Sequence, residues 1–211
     1  MHVIDLPSPS DARAVLQSRD PSVLSGVKQR GVAAALWQRD PSPDFSHWIS
    51  ELPAEHLPQL NTLVGVDALE SCVQASCDLV GTPVGPERDM LAGDVAALGF
   101  IMSGVMETPL LRVRLSVMHS NPSHPFQIGE MSAQLLCTYR GIGMQLAQLG
   151  AETSPMQVSL ASAVLLRGRR WPGQERTAVL HRCPSGLGTD DIGLHVAIEP
   201  AEADEIPQTI H

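Results

Sequence analysis

The sequence predicts an α+β protein in which a helical N-terminal half packs on an antiparallel β-sandwich or open jelly roll. Three observations carry this. Residues up to about 108 read as helices separated by Pro, Gly and Asp-Pro breaks. Near Pro109 the spacing of apolar residues changes from helical to alternating. Five short alternating segments then follow at close spacing.

Taken in order, Ser10 or Asp11 can cap a short helix running through Ser18. Asp20-Pro21 has the pattern of an N-cap followed by a first-turn proline, and Gly31 can end the next helix near Arg30. The apolar run Val32 to Trp37 fits a buried strand or a helix continuation, which periodicity does not separate. DPSPDFSHW restarts the chain, with a helix opening around Ser42 to Asp44. A further helix is expected over Val66 to Leu79, and a longer apolar one over Pro86 to Met106, weakened by Gly93, Gly99 and Gly104.

Beyond Pro109, Leu111, Val113, Leu115 and Val117 alternate with Arg112, Arg114 and Ser116, the signature of a half-buried strand. A second strand starts at Met131 and ends at Gly141, and a third covers Met156 to Arg167. Thr177 to Arg182 and Ile192 to Glu199 give two more, separated by the turn-forming CPSGLGTDD. The domain reading is an N-terminal helical extension over 1–30 and a single α+β domain over 31–200. Its helical part runs to about 108 and its β-rich part from about 109. Residues 201–211 are read as a loose acidic tail.

Composition excludes several function classes. The net charge is −9, and only 14 residues are Lys or Arg, Lys28 being the single lysine. Such a surface repels phosphate backbones, and 3 % aromatics leave few stacking platforms, so nucleic acid is not an expected partner. Apolar stretches such as Val95 to Met106 are broken by Gly and Ser and fall short of a bilayer span, so no membrane role is expected. No basic segment leads into an apolar run at the N-terminus. Cys72 and Cys77, five apart on one helix, would face about 140° from each other. With Cys137 and Cys183 they are too few for a disulfide scaffold, and a cytoplasmic, reduced protein is the simplest reading.

Candidate functional residues lie in the β-rich half. Arg112 and Arg114 project from one strand face, where they can hold an anionic small molecule or pair with cross-strand acids. RGRRW at 167–171 is the only basic cluster and reads as a solvated hairpin or an anion site. Tyr139 closes a strand with its ring buried and its hydroxyl bonded, and Cys137 alternates inward with Leu135. No G-x-S-x-G motif supports a serine hydrolase, and Asp190 and Asp191 lie in a turn.

LRVRL, PFQIGEMSAQLLCTYRGIG, VLLRGRRWPG, VLHRCP and LHVAIE, in that order, resemble the bacterial domain-of-unknown-function family 1826 over roughly residues 30–200. The blocks LLCTYRG and HR-x-P are the specific ones. The resemblance implies a jelly roll of the double-stranded β-helix type and an association with metal homeostasis. The family pattern has F-H-x-D before the LLCTY strand and a His in the later block, similar to the two-His-one-carboxylate triad of non-haem iron oxygenases. Here Phe126 is kept, but Gln127 stands in the His slot and Gly129 in the Asp slot, so only His181 matches. An arginine before the final strand, which could pair with a 2-oxoacid, is also missing; Ile192 and Gly193 occupy that region.

An amide is a weak neutral ligand and glycine offers none, so no metal and no cofactor are expected. The favoured reading is a non-catalytic, degenerate relative with a binding or regulatory role. Its pocket would be lined by Gln127, Gly129, His181, Arg114 and Tyr139. The alternative is an active metal-binding protein or metalloenzyme with Fe(II) or Zn(II) on a rewired set from His119, His124, Glu130, His181 and Cys183, with His195 facing the same cavity. A third reading has no small-molecule site and a protein partner on the helical half.

Overall fold

The computed structural model describes residues 11–119, 125–183 and 192–201. Within them the alternation seen in the second half becomes a two-sided sheet. The strands are β1 (Asp11–Ala12), β2 (Ala14–Ser18), β3 (Val32–Trp37), β4 (Leu60–Gly65), β5 (Leu110–Met118) and β6 (Ala133–Arg140). They continue with β7 (Gln145–Gln148), β8 (Met156–Gln157), β9 (Ala163–Arg167), β10 (Arg176–Thr177), β11 (Val179–Arg182) and β12 (Gly193–Pro200). The helices are α1 (Pro43–Glu51), α2 (Leu69–Leu79) and α3 (Pro86–Met106).

A seven-stranded sheet has the order β2-β3-β9-β6-β12-β5-β4. All its neighbours are antiparallel except β2 and β3. A three-stranded sheet, β11-β7-β8, faces it, and β1 pairs with β10 in a short parallel ladder. Side chains on successive residues of a strand point to opposite faces. Val113, Leu115, Leu135, Cys137, Leu165, Val196 and Ile198 therefore turn to one side, where they pack with Phe45, Val73, Leu91, Val95, Leu98 and Met102 of the helices. Leu36, Leu136, Val164, Leu166 and Ala197 turn to the other, against Met144, Leu146, Val158 and Val179. The result is three layers, helices on a large sheet on a small sheet, a jelly-roll-like α+β arrangement. Each fully buried Leu or Val contributes about 2 kcal/mol, so both interfaces are energetically substantial.

The N-terminal half departs from the expected run of helices. Ala14–Ser18, read from sequence as the end of a short helix, is the edge strand β2, hydrogen-bonded to β3. A five-residue segment is too short to stabilise its own helix, and pairing with Val32–Trp37 satisfies its backbone instead. Asp20 does cap the next element, accepting from Ser22 N at 2.8 Å, but the turn is a 3-10 helix through Lys28. Gly31 ends the segment in the left-handed region at φ 78°. The undecided run Val32–Trp37 is strand β3, buried along almost its whole length. β4 had no sequence signal strong enough to read, since LNTLVG mixes polar and apolar residues; it pairs with β5 at the opposite edge. α1 begins where expected, with Ser42 Oγ accepting from Phe45 N at 3.2 Å. α2 starts three residues later than expected, after a 3-10 turn over Val66–Ala68. The first 65 residues thus supply both edges of the large sheet rather than a helical half.

α3, with 21 residues, is long and apolar enough to cross a membrane by length and composition alone, contrary to the reading of its interrupted stretches. Here its Leu91, Val95, Leu98 and Met102 are buried against the sheet.

A polar cluster ties α3 to the sheet. Arg39, just after β3, pairs with Asp94 of α3 through both guanidinium nitrogens, Nη2 to Oδ2 at 3.0 Å. Its Nε donates to Ala161 O at 2.6 Å, and Tyr139 donates its hydroxyl to Asp94 Oδ2 at 2.7 Å. Cys137 lies in the same cluster as an acceptor from Arg39 at 3.5 Å, and burial pushes its thiol up to about 12. Removing one partner of a largely buried pair strands the other charge. Asp94→Ala should therefore lower unfolding free energy by about 3 kcal/mol in urea titrations, against about 1 kcal/mol for Tyr139→Phe.

Candidate functional site

The inner face of the large sheet is apolar on β3 and β9 and polar on β5, β6 and β12. Register places His195 between Ser116 and Thr138, and Ala197 between Arg114 and Leu136. Thr138 Oγ1 and His195 Nδ1 are 2.9 Å apart. Glu199 is almost fully enclosed, with 5 % of its side chain exposed, and its Oε1 accepts from Arg114 Nη2 at 2.9 Å and from Gln134 Nε2 at 2.7 Å. Arg114 reaches the rim, with 42 % of its side chain exposed.

His181 faces this cluster from β11 of the small sheet and is buried. Burial lowers its pKa from 6.5 to about 4. His195 is also lowered to about 4, by burial first and then by His181 and Arg114 nearby. Both imidazoles are consequently neutral at pH 7.

The segment carrying the H-x-D-like slots runs beside β11. Gln127 and His181 form an antiparallel bridge in which each N–H donates to the other's carbonyl, at 3.0 and 2.9 Å. The Gln127 residue itself is exposed. A Cβ added at Gly129 would lie 3.3 Å from Gln134 Oε1. That oxygen is buried and has no hydrogen-bond partner among the described residues. Glu130 turns away, bonded to Arg169 at 2.9 Å on the surface. The segment is pinned from below by the turn after β9. Arg169 N donates to Gly129 O at 2.8 Å and Gly168 N to Ser132 O at 2.9 Å. The contact is so close that a Cβ on Gly168 would meet Met131 O at 1.9 Å and Gly129 O at 2.8 Å.

The structure brings together His181, Arg114 and the backbone of Gln127 and Gly129 from the sequence-based set. It does not bring Tyr139, which lies on the helix-facing side bonded to Asp94. Of the alternative ligands, His119 is exposed at the end of β5, and Cys183 is half-buried with its thiol pushed up by burial. His124 lies outside the described residues. Sequence reasoning missed Gln134, Thr138 and Glu199. Their signal was polarity at inner-face positions of strands otherwise made of apolar residues.

These residues do not fit a two-histidine, one-carboxylate ion. Two imidazoles face the space, but Glu199 is already held by Arg114 and Gln134, and Gly129 has no donor. Among the described residues no group of three or more His, Cys, Asp or Glu could hold a metal ion.

The sequence matches the family described as Protein of unknown function (DUF1826) over residues 18–192. The chain belongs to this family. No curated protein matches the DUF1826 chain. Among solved structures, it is similar to the rice dioxygenase for auxin oxidation, at 14 % identity over 81 % of this chain and 74 % of that one, TM-score 0.43. It is similar to a Pseudomonas putida prolyl-4-hydroxylase at 7 % identity, covering 86 % of this chain and 98 % of that one, TM-score 0.45. A dioxygenase for auxin oxidation from Arabidopsis thaliana, in complex with 2-oxoglutarate, gives 11 % identity over 94 % and 99 %, TM-score 0.45.

Two outcomes follow for the DUF1826 site. Gly168→Ala should destabilise the fold by at least about 3 kcal/mol in denaturant titration, because the obstructing atoms are backbone oxygens. Both imidazoles hold a folded pKa below the free value, so the unfolded chain takes up protons first as pH falls. Stability should therefore drop between about pH 6.5 and 4, on the order of 3 kcal/mol for His181 alone. His181→Asn should flatten that slope when unfolding is measured across the window.

Proposed function

We propose that this DUF1826 chain binds a small organic molecule between its two sheets and does not run a metal-dependent oxidation. Its role is regulatory and linked to metal homeostasis. The observation that carries the reading is the close approach of the Gln134 amide to Gly129. A buried, unpartnered acceptor, Gln134 Oε1, points to the place where a side chain at 129 would begin. An enclosed polar atom without a partner is unfavourable by about 1–3 kcal/mol, and a ligand hydroxyl or amide donor would relieve it. Arg114 at the rim supplies attraction for an anionic group. The neutral His181 and His195 can each donate and accept a hydrogen bond. Leu136, Ala197, Leu146 and Val179 give the space an apolar floor.

A second reading, a rewired iron or zinc site around His181, is favoured by one feature: His181 and His195 are both uncharged and close enough to influence each other.

The two readings separate by metal analysis of the untagged protein after reconstitution with ferrous iron and with zinc. The proposal expects well under one ion per chain, and near-stoichiometric binding in the double variant Gln127→His, Gly129→Asp. Stoichiometric metal in the natural sequence, lost in His181→Ala, would overturn it. Thermal-shift screening against small organic acids should give a stabilising ligand whose effect disappears in Arg114→Gln.

A further inference from the structure

α3 buries one face in the fold. Leu91, Val95, Leu98 and Met102 pack on the sheet, while Met90, Gly93, Ala97, Phe100 and Gly104 recur at three- and four-residue spacing on the outer side. Phe100 is 71 % exposed and Met90 47 %. Leu79 at 86 % and Val84 at 88 % flank the turn that leads into the helix. Four of the seven large apolar side chains exposed among the described residues thus lie on the α2–α3 hairpin, a patch rather than a scatter. Free charge is missing from it as well. Between Met90 and Met106 the only ionisable side chain is Asp94, which Arg39 and Tyr139 hold inside the fold.

Two glycines in the same stripe are unexplained by the single chain. Glycine in a helix interior is unfavourable relative to alanine. Gly99 has a packing reason, since a Cβ there would meet Leu69 Cδ2 at 2.4 Å. A Cβ at Gly93 or Gly104 would meet nothing within 4 Å among the described residues. These two positions leave notches in the outer face, one on either side of Ala97.

The order of large and small residues is self-complementary. Laying a second α3 antiparallel on the first, with a two-fold axis at Ala97, sets Met90 opposite the partner's Gly104. Phe100 then lies beside the partner's Gly93. Each large side chain enters a notch, and the contact is isologous. Charge selects the same direction. Glu87 and Asp89 stand in the first turn of α3. Lys28 bonds Glu107 at 2.7 Å at the other end and stays 46 % exposed. Antiparallel packing brings Lys28 to the partner's Asp89, whereas parallel packing sets acid against acid. The exposed parts of Leu79, Val84, Met90 and Phe100 amount to on the order of 500 Å² per copy, so a dimer buries on the order of 1,000 Å², the lower edge of specific interfaces.

We infer that the outer face of α3 pairs with α3 of a second copy, giving a weak, reversible, antiparallel dimer. A lipid surface fits this face less well, because Glu87, Asp89 and Glu107 at its ends repel anionic headgroups.

Sedimentation of the full chain over a concentration series tests this. The mass should rise reversibly from one chain to two, with a dissociation constant on the order of 10 μM. Phe100→Ser should weaken association at least about tenfold. Gly93→Ala combined with Gly104→Ala should raise Tm in dilute solution yet weaken association by a similar factor, so misfolding cannot account for the loss. Lys28→Glu should weaken the dimer, and adding Asp89→Lys should restore it. Arg114→Gln should leave it unchanged, which separates this surface from the space between the sheets. A chain that stays monomeric at every concentration would overturn the inference. So would association that the Phe100, glycine or Lys28 variants leave intact. Flotation of a monomeric chain with phosphatidylcholine vesicles, abolished by Phe100→Ser, would assign the face to lipid instead.

Discussion

Burial of the large sheet on both faces is the constraint on which everything else in this molecule depends. β6 shows it most directly: Leu135, Cys137 and Tyr139 serve the helices, while Gln134, Leu136 and Thr138 serve the space between the sheets. A slip of one residue would exchange the two sets, driving an amide and a hydroxyl into the helical core. The irregularity in the β12 pairing between Leu194 and His195 leaves Tyr139 unpaired on β6, so that Tyr139 and Arg140 both reach the helical side, bonding Asp94 and Leu52 O.

That division decides what the inter-sheet space can do. Its acidic group is committed to an arginine and an amide, and its histidines stay neutral because water is kept from them. Such a space presents hydrogen-bonding groups on an apolar floor. Among the described residues it has no free anionic ligand to anchor a divalent cation. The tight contact of Gly168 with the 129–131 backbone holds the edge of the space in place without any side chain from position 129.

Much of the fold was legible where local chemistry decides it. The alternation of β5 and the caps at Asp20 and Ser42 needed no distant partner, and neither did the left-handed stop at Gly31. β2 and β4 were illegible because edge strands are selected by what they pair with, and LNTLVG carries no clear period of its own. The same holds for the candidate site. His181 and Arg114 stood out by residue type. Gln134 meets Glu199 across 65 positions, and Thr138 meets His195 across 57, so no local pattern announces either pair. Tyr139 was read correctly as a buried ring with a bonded hydroxyl, yet assigned to the pocket; its neighbour Thr138 holds the inward position.

The strand order has a kinetic corollary. β3 lies beside β9, with Ala34 opposite Leu166, and β4 flanks β5 at the far edge, so one early stretch of chain seals a sheet whose middle is encoded much later. Until β9 emerges, the buried run Val32–Trp37 has no antiparallel partner. Pairings that close such long loops lose much chain entropy before they gain contacts, which makes this a slow-assembling topology. Its nascent form is therefore a sticky apolar ribbon awaiting its mate, the kind of intermediate that chaperones shelter.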